Sequence, residues 1–244
     1  MCEFCESQNV SHTFSRRGLV KALGAGAVGF AVAGPAFAKP TKAPPKPQNV
    51  VSPDEALDLL KAGNARYVAG IAKRHDFKHE REPLTLGQNP YAAILSCADS
   101  RIAPEYAFDT ARGDLFVCRV AGNFATDENV ASFEYAVAIL NTPLIMVLGH
   151  DACGAVDATI KSLKDNEILP GHLPSLVAAI APAVKASEGK AGDPLANAIR
   201  ENVILTVQKL KSATPIISAA VEKGKIRIVG ATYRLADGHV ELVA

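Results

Sequence analysis

The sequence predicts an α/β fold, a central mainly parallel β-sheet flanked by helices, on three observations. Apolar runs of strand length recur at residues 91–95, 114–120, 144–148 and 226–233. Segments with apolar residues at helical spacing separate them, and strands alternating with helices imply crossover connections and a parallel sheet covered on both faces. Two of the runs are followed at once by chemistry-bearing residues, Cys97-Ala98-Asp99-Ser100-Arg101 and Gly149-His150-Asp151-Ala152-Cys153. Carboxyl ends of neighbouring parallel strands open into one crevice, where such folds bind their ligands.

Taken in order, residues 1–38 stand apart from the rest. Ser15-Arg16-Arg17-Gly18-Leu19-Val20-Lys21 precedes a modest apolar stretch at 22–33, and Ala36-Phe37-Ala38 supplies a small-x-small cleavage site. The apolar stretch is too short and too glycine-rich for a comfortable membrane span. This order of features resembles a twin-arginine export signal, cleaved after Ala38, and implies passage through that machinery to the periplasm already folded. A metal site would then be filled in the reducing cytoplasm before its thiols met an oxidising compartment.

Residues 39–51 form a Pro- and Lys-rich linker, and the folded domain is assigned to 52–244. Ser52-Pro53-Asp54-Glu55 is a capping box with proline at the first helical position, and Leu57, Leu60, Asn64, Tyr67 and Val68 extend a helix over 53–69. Residues 70–87, with His75 and His79, read as an exposed arm. Further helices are placed at 126–140, where Val130, Phe133, Val137 and Leu140 share a side, and at 153–163, 173–187, 194–211 and 215–223. Strands at 226–233 and 240–243 close the chain around an Asp237-Gly238 turn.

Composition narrows the function classes. Of 244 residues 48% are hydrophobic and 21% charged, and the formal net charge is +1. That balance favours neither nucleic acid nor an anionic membrane as partner. With no Trp and 6% aromatics there is no evident stacking platform for single strands. Beyond the N-terminus no apolar run reaches spanning length, so the mature form is expected to be soluble. Of five cysteines, Cys2 and Cys5 fall in the signal and are assigned no function in the mature protein. The remaining Cys97, Cys118 and Cys153 are an odd number, which argues against a disulfide framework.

Two Cys and one His are a zinc set that leaves a fourth position for chemistry, so Cys97, His150 and Cys153 are assigned one zinc ion per chain. Cys153 falls at the first turn of a helix, where the dipole and free N–H groups favour a thiolate. Water in the fourth position would be acidified, making a zinc-bound hydroxide the predicted nucleophile. Asp99 can take that position or turn away from it. Arg101, a forked permanent cation, can hold the carboxylate off the metal, leaving Asp99 to orient the hydroxide. Two blander readings stand beside this: Asp99-Ser100-Arg101 as a helix cap, and Asp99 as fourth ligand of a closed structural site. Cys118 reads as a buried core thiol, His75, His79, His172 and His239 as surface residues, and Gly149 and Gly154 as permitting a tight strand-to-helix turn.

Both motifs, in this order and about 50 residues apart, resemble those of the β-class carbonic anhydrases. The likeness extends over most of 52–244 and includes Arg112-Gly113-Asp114-Leu115-Phe116-Val117, Glu134-Tyr135-Ala136-Val137 and Tyr233-Arg234-Leu235. It implies reversible hydration of carbon dioxide to bicarbonate and a proton, an Asp99–Arg101 gate, and a homo-oligomer whose minimal unit is a dimer with pockets at the interface. It also implies that Gln88 hydrogen-bonds substrate and that Phe116 and Tyr135 line a small apolar pocket. Members inhibited by a second bicarbonate carry Trp three residues before the first Cys; here that residue is Ile94, while Arg119 matches the arginine of that inhibitory site. An unregulated, open site is therefore expected. Other outcomes are a relative acting on carbonyl sulfide or carbon disulfide, and a catalytically silent zinc protein.

Overall fold

The structure is a computed structural model and describes residues 51–244; the predicted export signal, all but the last linker residue, and Cys2, Cys5 and His12 lie outside this range. The chain runs α1 (Pro53–Val68), α2 (Arg81–Leu84), β1 (Ala92–Ser96), α3 (Pro104–Ala107), β2 (Leu115–Arg119), α4 (Asp127–Ala138) and β3 (Leu144–His150). It continues through α5 (Gly154–Asp165), α6 (Leu173–Ser187), α7 (Pro194–Lys211), α8 (Ile216–Glu222), β4 (Arg227–Tyr233) and β5 (Val240–Leu242). Spatial strand order is β2-β1-β3-β4-β5, parallel except for the antiparallel β4–β5 pair.

Every residue of β1 and β3 is buried, as expected of strands covered on both faces. Alternation divides their side chains. Ala92, Ile94, Leu144, Met146 and Leu148 pack with Ala56, Leu57 and Leu60 of α1 and with Phe108. Ala93, Leu95, Ile145 and Val147 pack with Phe133 of α4, Val203 and Val207 of α7 and Ile217 of α8. The Ser52 cap forms in full, its hydroxyl accepting from Glu55 N–H and Glu55 accepting from Ser52 N–H. From β1 the chain moves outward to β2 and then returns to the other side of β1 as β3. That reversal makes the carboxyl ends of β1 and β3 a topological switch point, with Cys97 one residue past β1 and His150 at the end of β3.

Several expectations need correction. The arm at 70–87 contains the helical turn α2, and its His75 is half-buried against Glu80. α3 was not anticipated; four residues are too few for a periodic signal. Cys118 is half-buried on the edge strand β2, short of a core thiol. Neither motif glycine has a left-handed φ: in the turn after β3 that conformation belongs to Ala152, at φ 49°. Gly149 instead leaves room for α7, since a Cβ there would lie 2.7 Å from Val203 Cγ2, whereas one on Gly154 would meet nothing within 4 Å. No helix among the described residues is long and apolar enough to cross a membrane.

Candidate metal centre

The switch point gathers Cys97, His150 and Cys153, all buried, with their ligand atoms within 4.8 Å of one another. Cys97 Sγ and Cys153 Sγ are 4.0 Å apart. Tetrahedral zinc with bonds of about 2.3 Å to sulfur separates two thiolates by about 3.8 Å, so the pair fits with a small adjustment. His150 Nδ1 lies 2.8 Å from the Asp151 carbonyl, which fixes Nδ1 as the N–H donor and leaves the Nε2 lone pair free. That Nε2 is buried and has no hydrogen-bond partner, a costly arrangement unless a cation takes the lone pair. The donor set and the orphaned nitrogen both fit zinc.

Local electrostatics agree. A hydrogen bond from Cys153 pulls the Cys97 thiol well below its ordinary range against the opposing effect of burial, with help from His150 and from the backbone N–H groups of Gly122 and Asp99. The same contact and burial push Cys153 up, so the two sulfurs compete for one proton that a metal ion would replace. Cys153 is the N-cap of α5, one residue before the position expected, and the first-turn N–H groups of Ala155 and Val156 favour its thiolate.

Asp99 faces the cluster, its Oδ2 3.8 Å from His150 Nε2. Arg101 grips it with both arms, Nε donating to Oδ1 at 2.9 Å and Nη2 to Oδ2 at 2.7 Å, while Arg101 N–H also donates to Oδ1. The guanidinium holds the Asp99 carboxyl well below the usual carboxylate range, outweighing desolvation. Nη2 of Arg101 also donates to the Ala152 carbonyl at 3.2 Å, tying the two motifs together. Ala103 is the N-cap of the following helix, so Asp99-Ser100-Arg101 is not a helix cap.

Arg119, matched in sequence to the arginine of an inhibitory site, also braces the first metal loop, a role sequence reasoning did not give it. Its Nε donates to the Cys97 carbonyl, and its Nη2 to the carbonyls of Asp99 and Ile102, at 2.7–3.0 Å. Three carbonyls, of Cys97, Asp99 and Ile102, are thus held by one side chain. Ile94 is fully buried in the sheet core among Ala92, Ile102 and Phe108. On the second loop, Asp151 Oδ1 accepts Leu235 N–H at 2.9 Å, anchoring the turn to the end of β4.

Of the expected substrate residues, Phe116 and Tyr135 stand apart from this cluster within one chain. Phe116 and Tyr135 do meet, with ring centroids 6.3 Å apart. Phe116 is in register with Ala93, four residues before Cys97 and so about 13 Å back along the strand. Gln88 is exposed and Tyr135 is 48% exposed.

A family model described as "Carbonic anhydrase" matches residues 92–240. The carbonic anhydrase of Mycolicibacterium smegmatis is 40% identical over 196 residues, covering 78% of this chain and 93% of its own. Carbonic anhydrase 2 of Mycobacterium tuberculosis is 39% identical over 192 residues with the same coverage. Among solved structures, the β-carbonic anhydrase CcaA superposes with a TM-score of 0.58 at 26% identity, covering 78% of this chain and 98% of its own. A tetrameric β-carbonic anhydrase of Sordaria macrospora gives 0.61 at 21% identity, with the same coverage, and supports the fold. The matched span holds both metal motifs and the Asp99–Arg101 pair, and on these grounds the chain belongs to the β-class carbonic anhydrase family.

Proposed function

We infer that this chain is a zinc enzyme for the reversible hydration of carbon dioxide to bicarbonate and a proton. The observation that carries the inference is the buried Cys97–His150–Cys153 cluster, with an orphaned His150 Nε2 and a carboxylate locked beside it. Zinc held by those three side chains supplies the Lewis acidity that makes water a nucleophile near neutral pH. Asp99, fixed by Arg101, accepts a hydrogen bond from the attacking water and turns a lone pair toward the carbon of the substrate. Because both its oxygens are engaged by Arg101, the carboxylate stays off the metal and the site stays open. The core position of Ile94, where bicarbonate-inhibited members carry Trp, supports an enzyme without that inhibited state.

Gln88, Phe116 and Tyr135 are assigned to the substrate pocket of a second copy in a homodimer. Their exposure and the offset of Phe116 from its own cluster support this, as does the unpaired outer edge of β2 among the described residues. An amide N–H of Gln88 would meet the oxygen on which charge develops. The ordered signal features at 15–38 support export through the twin-arginine machinery to the periplasm, with cleavage after Ala38. N-terminal sequencing of the exported protein tests that reading: a chain beginning at Lys39 supports it, and an intact Met1 in the periplasm contradicts it. For the activity, stopped-flow hydration of carbon dioxide is compared with hydrolysis of carbonyl sulfide. Preference for carbon dioxide, lost on chelation, is the expected result; turnover of the sulfur compound alone would replace the substrate assignment.

A further inference from the structure

After β2 the chain makes a tight turn, closed by Asn123 N–H donating to the Val120 carbonyl at 2.9 Å, with Gly122 in third place at φ 84°. That is the pattern of a type II turn, which only glycine enters without strain. A Cβ on Gly122 would also lie 2.5 Å from Ile180 Cδ1. In this orientation Gly122 N–H points at Cys97 Sγ, with an N···S distance of 3.3 Å. The carbonyl of the same glycine accepts Asn202 Nδ2 at 2.6 Å. Asn202 is 3% exposed on α7, in a mostly apolar buried stripe with Ile199, Val203, Thr206 and Val207. α7 reaches this depth because Gly149 and Gly230 give Val203 a bare backbone to rest on.

We propose that Asn202 is a positioning residue for the zinc thiolate, holding the Gly122 turn so that its N–H donates to Cys97 Sγ. The inference rests on the metal reading above. Without the side-chain amide the buried Gly122 carbonyl loses its donor, and the Asn123–Val120 hydrogen bond is left to hold the turn that aims the Gly122 N–H at the sulfur. A thiolate relieved of a hydrogen bond gives more charge to the metal, which weakens the Lewis acidity needed for turnover. Asn202 touches neither metal nor substrate, so its effect falls on kcat and leaves KM unchanged.

The test uses the full folded chain loaded with cadmium-113 and, separately, with cobalt(II). In the wild type, scalar coupling between the cadmium nucleus and the Gly122 amide proton, transmitted through the N–H···S bond, is expected. Asn202→Leu should lose that coupling, move the thiolate-to-cobalt charge-transfer band to longer wavelength, and lower kcat on the order of tenfold at constant KM. Asn202→Ser, which keeps a donor, should fall between. Absence of the Gly122 coupling in cadmium-loaded wild type overturns the inference even if no variant folds. An unchanged band and coupling in Asn202→Leu also overturn it. Failure of the wild type to bind either metal at its thiolates strikes instead at the zinc site itself.

Discussion

At the scale of single residues, the proposed function makes two demands of Asp99: to accept a hydrogen bond beside a cation site, and not to become a ligand. The two-armed grip of Arg101 meets both, because it uses the two carboxylate oxygens and keeps them charged. Asp99→Asn is expected to lower kcat about a hundredfold or more while zinc stoichiometry stays unchanged; near-normal turnover would refute the role. A second carboxylate, Asp109, acts on stability. Burial alone would raise its pKa, but hydrogen bonds from Arg66 and from Lys73 N–H prevail and hold it low. A depressed folded-state pKa contributes stability above the ordinary carboxylate range, and that contribution is lost as pH falls through the folded value. Asp109→Asn should therefore cost about 2 kcal/mol at neutral pH, with the gap to wild type closing in acid. Urea unfolding at both pH values checks this, and a gap independent of pH would contradict it.

Secondary-structure elements carry the site by close approach. β1 and β3 were legible as short apolar runs, and the zinc residues were legible because they follow those runs directly. α1 was legible through its capping box, and α7 through its apolar period. What the pattern did not show is how deeply α7 sits, because that depends on two glycines from different strands meeting one valine. Gly149 was read as a turn residue for this reason, although the turn itself is made by Ala152 in a left-handed conformation. Asn202 was overlooked likewise: its partner carbonyl is 80 residues away in sequence. Packing predicts opposite outcomes for two neighbouring substitutions. Gly149→Ala drives a Cβ into Val203 and should lower stability by about 1–3 kcal/mol, whereas Gly154→Ala enters open space and should stay within about 0.5 kcal/mol of wild type. Thermal melts of the two proteins decide; equal losses would show that the approach of α7 is not what Gly149 provides.

At the scale of the whole molecule, the proposed function divides the reaction between two copies. One chain gathers the metal residues with Asp99 and Arg101 but leaves Phe116 and its neighbour Tyr135 away from them. The resemblance in sequence pointed to those residues and to a pocket at a dimer interface, and the strand register sets Phe116 apart from its own chain's cluster. Asp99→Asn and Gln88→Ala chains, each weak alone, should regain activity when co-assembled, because a mixed dimer then contains one site with neither change. No gain on mixing would place all these residues in a single chain's pocket. Beneath that arrangement lies the claim that three buried side chains hold a zinc ion that makes this protein hydrate carbon dioxide. The direct measurement is to strip the purified protein of metal, titrate zinc back, and follow hydration by stopped flow at mildly alkaline pH. Activity is predicted to rise in proportion to bound zinc and level off at one ion per chain, and a fully zinc-loaded protein with no hydration above buffer would contradict the account.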